Sequence, residues 1–330
     1  MDGYGERLTE RIQKVPESKL FYSGEERRAG FRSAFPWARS IVVCSTNFGR
    51  YRIPEKVRNR IARYYLFDGR VDEKSSERHR NLEFEAYLGG MGLRTANEPK
   101  FGLVGLRWAA MEAGIGLIRK NNFLYGKNGS WLAIEAWLTD RDMELRRFDQ
   151  PRPCPEGCGL CKKACPTGAL RSDYSLSPLR CISFLTTFGG RNLPDEPLRR
   201  DFRECIYGCE LCQDACPFNK GMRREDEDFP GLAELAEALS PEAILEMDEA
   251  FYRERVQPKL FYIGPDDLWK WKVDVLNYMG NNYHAGYAPL IEAARSAPDA
   301  RIAAMARLVA EESCAQAKLA EAAQPRCLRT

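Results

Sequence analysis

Nine of the twelve cysteines lie within the 63 residues from Cys154 to Cys216, and their spacing is that of metal-binding loops. The first run is Cys154-x3-Cys158-x2-Cys161-x3-Cys165-Pro166, and the second is Cys209-x2-Cys212-x3-Cys216-Pro217. In this ferredoxin logic three thiolates of a run close on one iron-sulfur cube, while the cysteine before proline turns away to the other cube. Sulfur is the right donor because the iron of such clusters is soft, and the short gaps let one loop wrap a cube with its amides aimed at sulfur. Four-cysteine zinc sites are the competing reading, but zinc knuckles rarely end twice in Cys-Pro. The amino terminus, Met1-Asp2-Gly3-Tyr4-Gly5-Glu6-Arg7, has no apolar export segment, and no apolar run reaches the ~20 residues of a membrane span. A cytoplasmic chain without membrane contact is expected, where clustered thiols are metal or redox groups rather than disulfides.

Two cubes need eight thiolates, and the runs supply seven. Cys205 stands three residues before Cys209 and copies the gap that opens the first run, so spacing favours it as the eighth; Cys181 is the alternative.

Around these loops the pattern predicts an α+β chain of three parts. Residues 1–150 read as a mixed α/β domain. It has strands at Ser40–Cys44 and Ser130–Leu138, and helices over 57–65, Ser76–Met91 with Gly92 as stop, and Leu106–Ala113. Residues 151–222 form a ferredoxin-like double-cluster domain. In 223–330 the charge run Arg223-Arg224-Glu225-Asp226-Glu227-Asp228 reads as a solvated linker. A short helical-repeat-like tail follows: Ser240-Pro241-Glu242 starts one helix, Leu268, Trp271, Val275, Leu276 and Met279 form an apolar stripe ended by Gly280, and helices at 288–295 and 298–312 complete it.

Fifty Lys and Arg against 47 Asp and Glu leave a formal charge of +3, so no overall basicity announces a nucleic-acid protein. Residues 231–330 carry eleven Lys and Arg against fifteen Asp and Glu, an acidic surface unsuited to gripping phosphates.

The blocks Cys158-Gly-Leu-Cys161-Lys-Lys-Ala-Cys165-Pro-Thr-Gly-Ala-Leu, Cys181-Ile-Ser-Phe-Leu-Thr and Ile206-Tyr207-Gly208-Cys209-Glu-Leu-Cys212-Gln213-Asp214-Ala-Cys216-Pro217-Phe218-Asn219 resemble the epoxyqueuosine reductases. These are cobalamin-dependent, two-cluster enzymes of tRNA modification related to reductive dehalogenases. The likeness continues through Ala113–Asn122, Gly129-Ser130-Trp131 and Val275–Asn281.

The resemblance implies that the eighth thiolate is Cys181, with Cys205 a spare. It also implies a corrinoid between the N-terminal domain and the clusters, with Arg119, Lys120 and Asn121 where the family's Gly-Lys-Asn segment lines the corrinoid pocket, and with Ser130 and Trp131 beside it. Neither His79 nor His284 lies in a corrinoid-ligand motif. The family's catalytic Asp has no counterpart in Thr95-Ala96-Asn97-Glu98-Pro99, which leaves Glu98 or Tyr125 as the candidate proton donor. The family's Asp-Tyr-His block is likewise replaced, by Asp68-Gly69-Arg70-Val71-Asp72. With the acidic tail, these departures point to a corrinoid reductase acting on a small molecule rather than on tRNA, fed by an external donor such as ferredoxin or flavodoxin. The alternatives are a genuine epoxyqueuosine reductase and a non-catalytic electron-transfer or corrinoid-reducing partner protein.

Overall fold

The computed structural model describes residues 1, 3–67, 75–145, 152–229 and 231–323. The segment 68–72 noted above lies outside them. The chain is α+β, with a small sheet at one end, the cysteine loops in the middle and helices at the other end.

Two helices open the chain, α1 (Tyr4–Lys14) and α2 (Lys19–Ala29). Both are polar on most faces, and the sequence pattern gave no notice of them. α1 buries Tyr4, Leu8 and Arg11, which share one face at helical spacing. The sheet has the order β1-β6-β3: β1 (Ser40–Asn47) pairs antiparallel with β6 (Leu132–Thr139), and β3 (Thr95–Ala96) pairs with the other edge of β6. Both long strands were expected. Helix α3 (Ser76–Gly90) is capped by the Ser75 hydroxyl, which accepts from the Arg78 amide at 3.0 Å, and Gly92 beyond it has the left-handed φ of +74° that favours glycine. Helix α4 (Leu106–Glu112) packs on the sheet and leads into the hairpin of β4 (Leu117–Ile118) and β5 (Leu124–Tyr125).

Two expectations fail. Residues 57–65 do not form one helix: Asn59 has φ +63°, which breaks a right-handed helix, and Ile61 then bridges to Tyr207 in parallel fashion. Only Arg63–Leu66 is helical there. The charge run is not a free linker either. Its Glu227–Asp228, β7, pairs in parallel with Tyr51–Arg52, β2, and the Arg224 amide donates to the Gly49 carbonyl at 2.9 Å.

The largest core runs from the sheet through the cluster segment into the tail. Ile182, Leu185, Phe202, Ile206 and Tyr207 share it with Leu268, Trp271, Val275, Leu276 and Met279 of α5 (Leu268–Asn281). Trp271 lies flat on Tyr207, with centroids 4.5 Å apart and planes at 5°. The apolar stripe is therefore buried against the cluster segment. The Ser240 cap is present, its hydroxyl accepting from the Ala243 amide at 3.2 Å, and α6 (Ala300–Ala323) packs along α5. Among the described residues no helix is long and apolar enough to cross a membrane.

Candidate metal centre

The cysteines gather into two groups, each drawing on both sequence runs. Cys161 stands among Cys154, Cys158 and Cys216: burial raises its thiol above the usual range, and the charges of those three raise it further. Cys212 is likewise raised by burial, then by Cys209, Cys181 and Cys165, and last by Cys161 of the first group. The cysteines before proline, Cys165 and Cys216, have thus exchanged groups, as interleaved ligation requires. The short helices Leu160–Ala164 and Leu211–Asp214 pack together and present Cys161 and Cys212.

Cys181 belongs with the second group. Burial pushes its thiol up to about 12; the Phe184 and Ser183 amides pull it down, while Cys209 and Cys165 push it up. It sits at the N-cap of the short helix Ile182–Phe184, so those amides face its sulfur. Cys205 is buried in the core beside Cys209, whose thiol is raised first by the hydrogen bond between them.

Among the described residues no group of three His, Cys, Asp or Glu is arranged to hold a single metal ion, and an all-thiol donor set of this kind is that of iron-sulfur clusters. Amides approach the sulfurs of both groups: the Ala169 amide donates to Cys165 Sγ at 3.2 Å, and those of Lys162 and Leu211 serve Cys161 and Cys209. Thiols that burial and mutual repulsion hold protonated need a cationic centre to ionise together, which several irons provide.

The surroundings of the first group are cationic and dry. Arg119 is 2% exposed; its Nη1 lies 3.9 Å from Cys154 Sγ, and its guanidinium stacks 3.3 Å from the Phe218 ring centroid. Tyr125 hydrogen-bonds Cys216, which after burial is the main cause of its raised phenol, and its oxygen accepts from Asn121 Nδ2 at 2.8 Å. Asn121 also donates to the Cys212 carbonyl at 3.1 Å, joining the two groups. Lys120 Nζ lies 3.3 Å from Asp173 and donates to the Cys158 carbonyl at 3.3 Å. Ser130 is tied to the second run, its amide donating to Asn219 Oδ1 and its hydroxyl to Gln213 Oε1, both at 2.8 Å. On the far side of the second run Arg63 pairs with Glu210 at 3.2 Å and Glu225 at 2.9 Å, and burial lifts the Glu210 carboxyl to about 7 against the pull of Arg63.

Gly208 makes the close packing before Cys209 possible. Its φ is +79°, and a Cβ there would stand 2.2 Å from the Tyr65 ring.

The resemblance gave Arg119, Lys120, Asn121, Ser130 and Trp131 to a corrinoid; the structure leaves Arg119 Nε and Trp131 Nε1 buried without a hydrogen-bond partner. Arg119, Asn121, Ser130 and Trp131 are each 3% exposed or less. Trp131 packs on Phe48 in the main core, and Lys120 is held by Asp173. Glu98 turns its carboxylate onto its own backbone, accepting from the Lys100 and Phe101 amides at 3.0 and 2.8 Å. Glu98 and Tyr125 therefore stand in different settings, one as a turn cap and one against a thiol. Phe218, Gln213 and Asn219 carry contacts that no spacing rule signalled; their position just before and after the second Cys-Pro was the available clue.

Residues 154–219 match the family described as a 4Fe-4S double cluster binding domain. The chain is 38% identical over 117 residues to an epoxyqueuosine reductase of Lactococcus garvieae, which is 34% of this chain and 31% of that protein. It is 38% identical over 149 residues to that of Bacillus subtilis, 43% of this chain and 37% of that protein. The matched part thus spans about a third of the length of these curated relatives. A crystal structure of epoxyqueuosine reductase with an epoxyqueuosine-modified tRNA-Tyr stem loop superposes with a TM-score of 0.72 at 21% identity, covering 94% of this chain and 83% of that one. A structure of the Bacillus subtilis enzyme gives 0.71 at 24%, with the same coverage. The chain is therefore similar in sequence to epoxyqueuosine reductases over about a third to two fifths of its length and shares their fold along nearly all of it.

Proposed function

We propose that this chain is a two-cluster oxidoreductase that relays single electrons between a donor such as ferredoxin or flavodoxin and a reductive reaction. One cluster is held by Cys154, Cys158, Cys161 and Cys216, and the other by Cys165, Cys181, Cys209 and Cys212. The observation that carries this reading is the exchange of Cys165 and Cys216 between the two thiol groups, which sets the clusters side by side. Bound [4Fe-4S] clusters supply one-electron chemistry without proton transfer. The chain's own residues supply the rest. Arg119, the Tyr125 hydroxyl and the inward amides stabilise added negative charge, and the core around Ile206 and Tyr207 excludes water from the second group.

The sequence favoured a bound cobalamin acting on a small substrate. Arg119, Lys120, Asn121, Ser130 and Trp131 would line that group, and no step of the relay runs through it. The second reading, epoxyqueuosine reduction in tRNA, is favoured by the fold shared with a reductase solved with its tRNA stem loop.

Anaerobic reconstitution with iron and sulfide, followed by a metal count and titration with cobalamin, tests the proposal. About eight irons per chain is the expected result, and retained corrinoid absorbance would add that cofactor to the relay. Four irons or fewer would overturn the relay. Restoration of queuosine in a strain lacking epoxyqueuosine reductase would establish the second reading.

A further inference from the structure

A cavity of about 240 Å³ opens between α1, α4 and the β4 strand. Its cationic side is Arg7 and Arg11, and its walls are Trp108, Met111, Leu117 and Ile118. It lies behind the hairpin that carries Arg119, since Tyr174 at its rim donates its amide to the Lys120 carbonyl at 3.0 Å.

Arg11 is the anomaly. It is 5% exposed, its Nε is buried without a hydrogen-bond partner, and among the described residues no carboxylate pairs with it. Its guanidinium stands 6.0 Å from the Tyr22 ring centroid, and that of Arg7 stands 5.1 Å from the Tyr174 centroid. Trp108 contributes a second buried donor without a partner, its Nε1. A buried charge is normally paired, because leaving it alone costs several kcal/mol. Burial depresses the Arg11 guanidinium below its usual range, Arg107 and Arg7 depress it further, and only the phenols of Tyr22 and Tyr4 oppose them. The cluster lacks an anion. Arg7 does have a carboxylate, Glu10 at 3.1 Å, but that pair stands on the solvent side.

We propose that this cavity binds a small organic carboxylate, its charge held by Arg7 and Arg11 and its apolar body seated against Trp108, Met111, Leu117 and Ile118. Guanidinium groups match the two oxygens of a carboxylate, and the four apolar walls favour a ring or branched chain over a fully hydrated inorganic anion. The volume admits a ligand of benzoate size and excludes a nucleotide or a corrinoid.

The test is calorimetric titration of the reconstituted protein with benzoate, with neutral benzamide and with inorganic phosphate. Benzoate is expected to bind one per chain, with benzamide and phosphate each at least about tenfold weaker. Arg11→Met is expected to weaken benzoate at least about tenfold without loss of iron. Arg7→Met serves the same purpose should Arg11→Met fail to fold. Absence of benzoate binding, benzamide binding as tight as benzoate, or tighter binding of phosphate would overturn the proposal. So would a variant with a lowered thermal midpoint and unchanged benzoate affinity, which would mark its arginine as purely structural.

Discussion

Arg119→Met is the sharpest perturbation of the centre, because it removes one buried charge beside Cys154 and keeps most of the side-chain volume. The guanidinium lies 3.9 Å from Cys154 Sγ. An electron added to the cluster spreads over the whole cube, so its mean distance from the charge is about 7 Å. With an effective dielectric of about 20, the lost attraction is about 2 kcal/mol. At about 59 mV per tenfold change for one electron, the reduction potential of that cluster should fall by ~100 mV. Potentiometric titration followed by electron paramagnetic resonance reads the two clusters separately. Only the cluster next to Arg119 should move, and Arg119→Lys should recover most of the lost potential, since it restores the charge without the fork. A change below about 20 mV, or an equal fall in both clusters, would refute the argument that this guanidinium acts on one cube at close range.

Cys181→Ala should lose about half the iron while Cys205→Ala keeps all of it, as measured by iron and sulfide analysis; the opposite pattern would give the eighth position to the residue that spacing alone favoured. Asp274, buried in α5, has its carboxyl raised well above the usual range by burial, with Lys270 opposing. A folded-state value above the unfolded one means that the folded chain holds the extra proton. Stability from this group is therefore present at acid pH and is lost as pH rises from about 4 through the folded-state value, by about 1.4 kcal/mol for each pH step of one between the two. Asp274→Asn should flatten that decline in denaturant melts between pH 5 and pH 8, and a decline as steep as in the parent would exclude Asp274 as its source. Trp271→Ala should cost about 3 to 5 kcal/mol by emptying the space over Tyr207, measured by denaturant unfolding of the reconstituted protein; a loss under about 1 kcal/mol would mean that the tail does not brace the cluster segment.

The cluster loops were legible because their chemistry is local: a thiolate gap of two or three residues is dictated by the size of a cube, and the exchange before proline is written in the Cys-Pro pairs. Strands β1 and β6 were legible from their apolar runs, and α5 from its stripe. What failed depended on contacts between distant segments. Asn59 breaks the expected helix because Ile61 is needed beside Tyr207. The charge run is recruited as β7 because Tyr51–Arg52 offers it an edge. In sequence Arg119 stands out only through the resemblance; the fold brings Phe218 and Cys154, both far along the chain, against it. Spacing ranked Cys205 above Cys181; the fold sets Cys205 in the core against Cys209 and sets Cys181 near Cys209 and Cys165 with two amides facing its sulfur.

The stack of Trp271 on Tyr207 also bears on the order in which the chain is made. Tyr207 stands two residues before Cys209, and its cover is synthesised about sixty residues later, several seconds at ribosomal speed. Both cysteine runs, together with the bare apolar face of Ile206 and Tyr207, leave the ribosome before α5 exists to close over them. That interval gives iron delivery open access to the thiols, and it is also when the exposed face is most prone to aggregate.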